Sequence, residues 1–104
     1  MADGIIVVVN DGRVERRGAG TGAYKGIVGN SGARAAATDG QIIVVLGKDG
    51  RVIRYKADTG AYTGMVGSQN ATAVQVSGGV IVITYANGRS IRYDAKTGAY
   101  KGMI

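Results

Sequence analysis

One phrase recurs at a fixed spacing: GRVERRGAGTGAYKGIVG over 12–29, GRVIRYKADTGAYTGMVG over 50–67 and GRSIRYDAKTGAYKGMI over 88–104. Gly12, Gly50 and Gly88 are 38 residues apart, and so are Tyr24, Tyr62 and Tyr100. The period holds without a slip from the first DGR turn onward. A unit this short cannot bury an apolar face alone, so it must stack on its neighbours. No linker interrupts the pattern. The sequence therefore predicts one domain over 1–104, with repeats at about 1–38, 39–76 and 77–104, the first lacking its small-residue strand.

Each unit reads as strand throughout. The runs IIVVV, IIVVL and VIVIT are β-branched and lack polar alternation, which predicts strands covered on both faces. Each leads into NDG, KDG or ANG, the strongest short-range hairpin signal. The next strand alternates. Ile53 and Tyr55 share one face, as do Ile91 and Tyr93, and that face is the expected buried one. A TG turn follows, then a strand around AYxGM, then the small residues ARAAAT or ATAVQVS. Glycine interrupts every stretch that could be helical. Four short strands joined by tight turns describe an antiparallel meander, with its small-residue strand lining an axis. The fold class is all-β.

The stretch GQIIVVLGKDGRVIRYKADTGAYTG resembles the blade of pyrroloquinoline-quinone-type β-propellers. The matched positions are Asp49, Gly50, Tyr55, Thr59 and Gly60, then Asn87, Gly88, Tyr93, Asp94, Thr97 and Gly98. The resemblance implies four-stranded blades, about three per chain. That family places an inter-blade Trp in its last strand, where this chain has Gly26, Gly64 and Gly102. Tyr24, Tyr62 and Tyr100 are expected to take over that packing. The catalytic carboxylates of the quinone enzymes have no counterpart here. A weaker resemblance links GKDGRVIRY to the mannose motif of bulb-type lectins, through Asp49, Ile53 and Tyr55. Gly47 and Arg51 stand where that motif has its sugar-binding Gln and Asn; the third repeat has Tyr85, Asn87 and Arg89 at its polar places. This second resemblance implies a three-fold β-prism, or the related trefoil, as a monomer.

The composition argues against chemistry. Histidine and cysteine are absent, so the usual proton shuttle and thiolate ligands are missing. The serines have no base to activate them. The expectation is a non-catalytic protein with no cofactor and no metal. Proline, phenylalanine and tryptophan are also absent, which fits a young duplication or a designed or reconstructed sequence. The start, MADGIIVVVNDG, lacks the basic region of a leader, and its apolar run is too short for a span. No membrane partner is expected, and the default location is the cytoplasm.

Two arginine sets recur: Arg13, Arg51 and Arg89, and Arg16, Arg54 and Arg92. With a net charge of +6, they are the candidate ligand-binding residues for an anionic polymer or a glycan. The first repeat is the odd member, with Glu15 and Arg17 where the others have Ile and Tyr. Three blades are too few to close a ring. Two copies about a two-fold axis would supply six. The sequence thus predicts a self-assembling homodimer, with Ile5, Val7, Met103 and Ile104 at its interface.

Overall fold

The computed structural model describes residues 4–29 and 32–104. Among the described residues eleven strands form three antiparallel sheets, as the repeat grammar predicts. The first sheet holds β1 (Ile5–Asn10), β2 (Arg13–Gly18) and β3 (Tyr24–Val28). The second runs β4 (Ala33–Thr38), β5 (Ile42–Gly47), β6 (Val52–Lys56) and β7 (Tyr62–Val66). The third runs β8 (Ala71–Ser77), β9 (Val80–Tyr85), β10 (Ser90–Asp94) and β11 (Tyr100–Met103). Every sheet is a plain meander in chain order. No described helix is long and apolar enough to cross a membrane.

The core lies between the sheets. Val14 and Val28 of the first sheet meet Ile43, Val45, Tyr55 and Ala57 of the second. Their equivalents one period on, Val52 and Val66, meet Ile81, Ile83, Tyr93 and Ala95 of the third. The second sheet thus shows one apolar face to the first sheet and another to the third. This is why β5 is buried on both faces. It also corrects the expectation of one buried face on β6: Tyr55 is buried, but so are Val52 and Arg54 on the opposite side. The DGR turns form the seats of the next sheet. Gly12 accepts a hydrogen bond from the Ala33 amide at 2.9 Å, and Gly50 accepts one from the Ala71 amide at 3.0 Å.

The first hairpin differs from the other two by one residue. Asn10 pairs with Arg13 across a two-residue turn, with Asp11 at φ 54° and Gly12 at φ 77°. In the second hairpin the Gly47 amide donates to the Arg51 carbonyl at 2.9 Å, leaving three residues in the loop, and Tyr85 and Arg89 repeat this in the third. There the Asp49 and Asn87 side chains accept from the amides of Arg51 and Arg89 instead of taking positive φ. The shorter loop slips β1 by one residue. Arg16 pairs with Val7, whereas Arg54 pairs with Val44, one full period from Ile6. A one-residue slip exchanges the two faces of a strand. Ile5 and Val7, expected at an interface with a second copy, therefore pack inside the chain against the first core cluster. Ile6 and Val8 face outward at 43% and 40% exposure, while Ile43 and Val45, their counterparts in the second sheet, are 0% and 7% exposed. The expectation that IIVVV is covered on both faces is corrected by the same observation.

Candidate functional site

The second arginine set lies at the contacts between sheets. Arg16 and Arg54 point from the central strand of one sheet toward the TG turn of the next. Arg16 Nη1 donates to the carbonyls of Ala57 at 3.2 Å and Asp58 at 3.0 Å. Arg54 Nη1 donates to Ala95 at 3.2 Å and Lys96 at 2.7 Å. Each Nη2 reaches back to its own sheet's outer strand, to the carbonyl of Lys25 at 2.8 Å or Thr63 at 3.4 Å. The planar fork thus spans two sheets at once, Nη1 on the carbonyls of the next sheet and Nη2 on a carbonyl of its own, a geometry that arginine supplies and lysine does not. Arg54 is 6% exposed. Arg16 and Arg54 therefore clasp one sheet to the next and present no free guanidinium to a ligand.

These clasps explain the glycines that stand where the resembled family has Trp. Gly26 and Gly64 pair with Arg16 and Arg54 at a β-bulge, at φ 133° and 134°. A Cβ at Gly26 would lie 2.8 Å from Arg16 Nη2, and one at Gly64 would lie 3.1 Å from Arg54 Nη2. The guanidinium crosses the strand where only glycine leaves room. Tyr24, Tyr62 and Tyr100 do not pack between sheets; they are 57%, 63% and 64% exposed. Tyr62 and Tyr100 set their rings edge-on against Tyr55 and Tyr93, at 6.1 and 6.3 Å between centroids. The inter-sheet tyrosines are Tyr55, whose hydroxyl abuts Gly29, and Tyr85 and Tyr93, whose hydroxyls abut Gly67. Tyr85 and Tyr93 share a hydroxyl hydrogen bond of 2.8 Å, and the Ser68 amide donates to Tyr85 at 3.1 Å. Burial, then this bond, pushes the Tyr93 phenol well above its ordinary range.

The remaining arginines are on the surface. Arg13, Arg51, Arg89 and Arg92 are exposed, and Arg51 makes only a long ion pair of 3.5 Å with Asp49. Arg89 lines an open cleft of about 380 Å³ with Tyr85, Asn87 and Gln69. A cleft of about 370 Å³ at the equivalent place in the second sheet is lined by Gly47, Asp49 and Tyr55. The charged lining differs: Lys48 and Asp49 of opposite sign in the second sheet, Arg89 alone in the third. Glu15 and Arg17 pair at 2.8 Å on the outward flank of the first sheet. Met103 is 50% exposed, but so is Met65 at 48%, so that exposure belongs to every repeat. Ile104 is different: it is 76% exposed, whereas Val66 and Val28, one and two periods earlier, are 3% and 0% exposed.

No protein-family model and no curated protein matches this sequence. Solved structures do match its fold. The whole chain superposes on 34% of the crystal structure of the computationally designed Ika8 protein, with a TM-score of 0.73 at 24% identity. Over 96% of its length it superposes on 32% of BamB from Moraxella catarrhalis, with a TM-score of 0.70 at 21% identity. Both are β-propellers. The chain folds as an arc of propeller blades. It spans about a third of the length of each of these structures. The three sheets are its blades, and the arginine clasps are its inter-blade bonds.

Proposed function

We propose that the chain is a non-catalytic propeller scaffold that associates with a second copy of itself, the two copies contributing six blades. The carrying observation is that positions buried between blades within the chain recur, uncovered, at its two ends. Ile6 and Val8 on the flank of the first blade repeat Ile43 and Val45; Ile104 on the flank of the third repeats Val66. One flank is thus the counterpart of the other, the relation that head-to-tail association requires. Light scattering across micromolar concentrations tests this: twice the 10.6 kDa chain mass is expected, and a stable monomer refutes it.

A second reading assigns binding of an anionic polymer to Arg13, Arg51 and Arg89, and it is favoured by their exposure at equivalent places after each DG turn. Retention on heparin at low salt, falling steeply as salt rises, is its mark. Arg51→Ala with Arg89→Ala should weaken retention, and no retention near 50 mM salt, the low end of that range, refutes it.

A further inference from the structure

We propose that the cleft between the second and third sheets binds a small hydroxycarboxylate the size of an acidic sugar, with Arg89 holding the carboxylate and the side-chain amides of Gln69, Asn70 and Asn87 holding the hydroxyls. The cleft lies where the linker between β7 and β8 passes the β9–β10 hairpin, and Tyr85 and Ile91 line it as well. Its volume of about 380 Å³ falls within the range of small-ligand sites. Both walls belong to one chain, so the site does not depend on the self-association proposed above. Nor is it the polymer reading, which needs arginines from all three sheets. The walls are pinned to each other. The Ser68 amide donates to the Tyr85 hydroxyl at 3.1 Å, and the Ala86 amide donates to the Asn70 carbonyl at 2.9 Å. The Arg89 backbone is fixed on both sides: its amide donates to Asn87 Oδ1 at 3.0 Å, and its carbonyl accepts from the Tyr85 amide at 2.9 Å. A site set before its ligand arrives costs less to fill.

The equivalent cleft one period earlier, between the first and second sheets, shows what is particular to this one. Asn87 stands where that cleft has Asp49, Asn70 where it has Gly32, and Ala86 where it has Lys48. In the second sheet Asp49 accepts from the Arg51 amide at 3.1 Å and also pairs with the Arg51 guanidinium at 3.5 Å. Asn87 keeps the backbone bond and drops the charge. The Arg89 guanidinium consequently makes no ion pair or hydrogen bond among the described residues. Its planar fork is suited to a carboxylate. Asn70 adds a second difference. It takes φ 72° at a position where the earlier repeat has glycine at φ 96°. Asparagine tolerates that backbone, and its exposed side chain bonds to no described residue. The Gln69 side chain and the Asn87 amide nitrogen are likewise unpaired among the described residues. A side-chain amide both donates and accepts, as a ligand hydroxyl requires. The Tyr85 hydroxyl is already engaged by Tyr93 and the Ser68 amide, so Tyr85 and Ile91 supply wall and not bonds.

The test titrates glucuronate into the isotope-labelled full chain and follows the backbone amide resonances of Gln69, Ala86 and Arg89. Saturable shifts centred on this cleft are expected, with a dissociation constant on the order of 1 mM, as suits a ligand of few atoms. Glucose, which lacks the carboxylate, and acetate, which lacks the hydroxyls, should each bind about tenfold more weakly or worse. Arg89→Ala should weaken glucuronate about tenfold or more, because charged hydrogen bonds are lost. Asn87→Asp should do the same with the turn intact, since Asp49 supports the equivalent backbone bond in the second sheet. Arg51→Ala removes the same charge from the chain and should leave glucuronate binding unchanged. No saturable shift at about twenty times the expected dissociation constant overturns the site. Equal weakening by Arg51→Ala assigns the binding to net charge and also overturns it. Acetate or inorganic phosphate binding as tightly as glucuronate overturns the hydroxycarboxylate as the ligand class.

Discussion

Arg54 offers the sharpest test of how the blades are held together. Arg54→Ala removes Nη1 bonds to Ala95 at 3.2 Å and Lys96 at 2.7 Å, and a longer Nη2 bond to Thr63 at 3.4 Å. Hydrogen bonds to a charged group are each worth about 1.5–3 kcal/mol net. Three considerations reduce the sum. The Thr63 contact is long, Lys96 is exposed so its carbonyl can turn to water, and Arg54 Nε is buried without an acceptor, a standing cost that the substitution relieves. The Ala95 carbonyl, in a residue only 1% exposed, is left unpaired. The net loss should be about 2–4 kcal/mol, a large part of a small domain's stability. Urea unfolding at several protein concentrations separates association from the measurement; the midpoint should fall while the slope stays constant. Arg54→Lys should recover less than half, because a single ammonium cannot reach the Ala95 and Lys96 carbonyls of the next blade and the Thr63 carbonyl of its own at once. A loss under about 1 kcal/mol, the level of an ordinary neutral hydrogen bond, or full rescue by lysine, would refute the clasp as a structural element.

Three further outcomes follow from the same contacts. Gly64→Ala, at φ 134° and with its Cβ 3.1 Å from Arg54 Nη2, should cost about 1–3 kcal/mol in urea unfolding through backbone strain and displacement of the guanidinium. Tyr93→Phe breaks the 2.8 Å hydroxyl pair with Tyr85 and should cost about 1 kcal/mol by thermal melt, since Tyr85 keeps the Ser68 amide. Asp39 is the titrating bond between blades. Burial alone would raise its carboxyl, but the amides of Ile42, Gln41 and Gly79 together hold it below the ordinary 3.8. Its stabilisation is thus present above that value and lost as pH falls through the lowered one. Urea midpoints measured from pH 6 to 2 should drop less for Asp39→Asn than for the parent chain.

What could be read from the sequence was the period and what glycine does within it. The DG turns, the meander and the small-residue strands announce themselves because local backbone chemistry dictates them. The role of Gly26 and Gly64 could not be read, because the arginine that crosses each strand finds its acceptors 41 and 42 residues away, in the following unit. A recurring arginine looks the same in sequence whether it grips a ligand or the next blade. The slip of β1 was hidden for a different reason. IIVVV is apolar at every position, so either face could point inward without a change in pattern. Only the loop length decides, and NDG folds equally well as a two-residue turn. Ile6 and Val8 were therefore missed as the outward residues. The half-buried pairing of Glu15 with Arg17 was visible as a break in an otherwise regular alternation.

The two flanks differ from the interior contacts in a way that bears on self-association. Inside the chain Leu46 and Val52 form a cross-strand pair in the same cluster as Ile83 and Tyr93. One period on, that pair is Thr84 and Ser90, whose hydroxyls bond each other at 2.9 Å. On the opposite flank, Tyr55 and Tyr93 give way to Arg17, and Ile53 and Ile91 to Glu15. The repeat relation would bring these altered positions face to face across a junction between copies. Apolar burial there would be smaller than between blades of one chain, since Ile6, Val8, Val82 and Ile104 remain but the central pair is polar. A wholly apolar flank would associate with any exposed apolar surface. A mixed flank needs its polar groups satisfied, so it accepts fewer partners. On the proposed reading, the Thr84–Ser90 and Glu15–Arg17 pairs would give direction to a contact whose apolar part is too small to choose its partner alone.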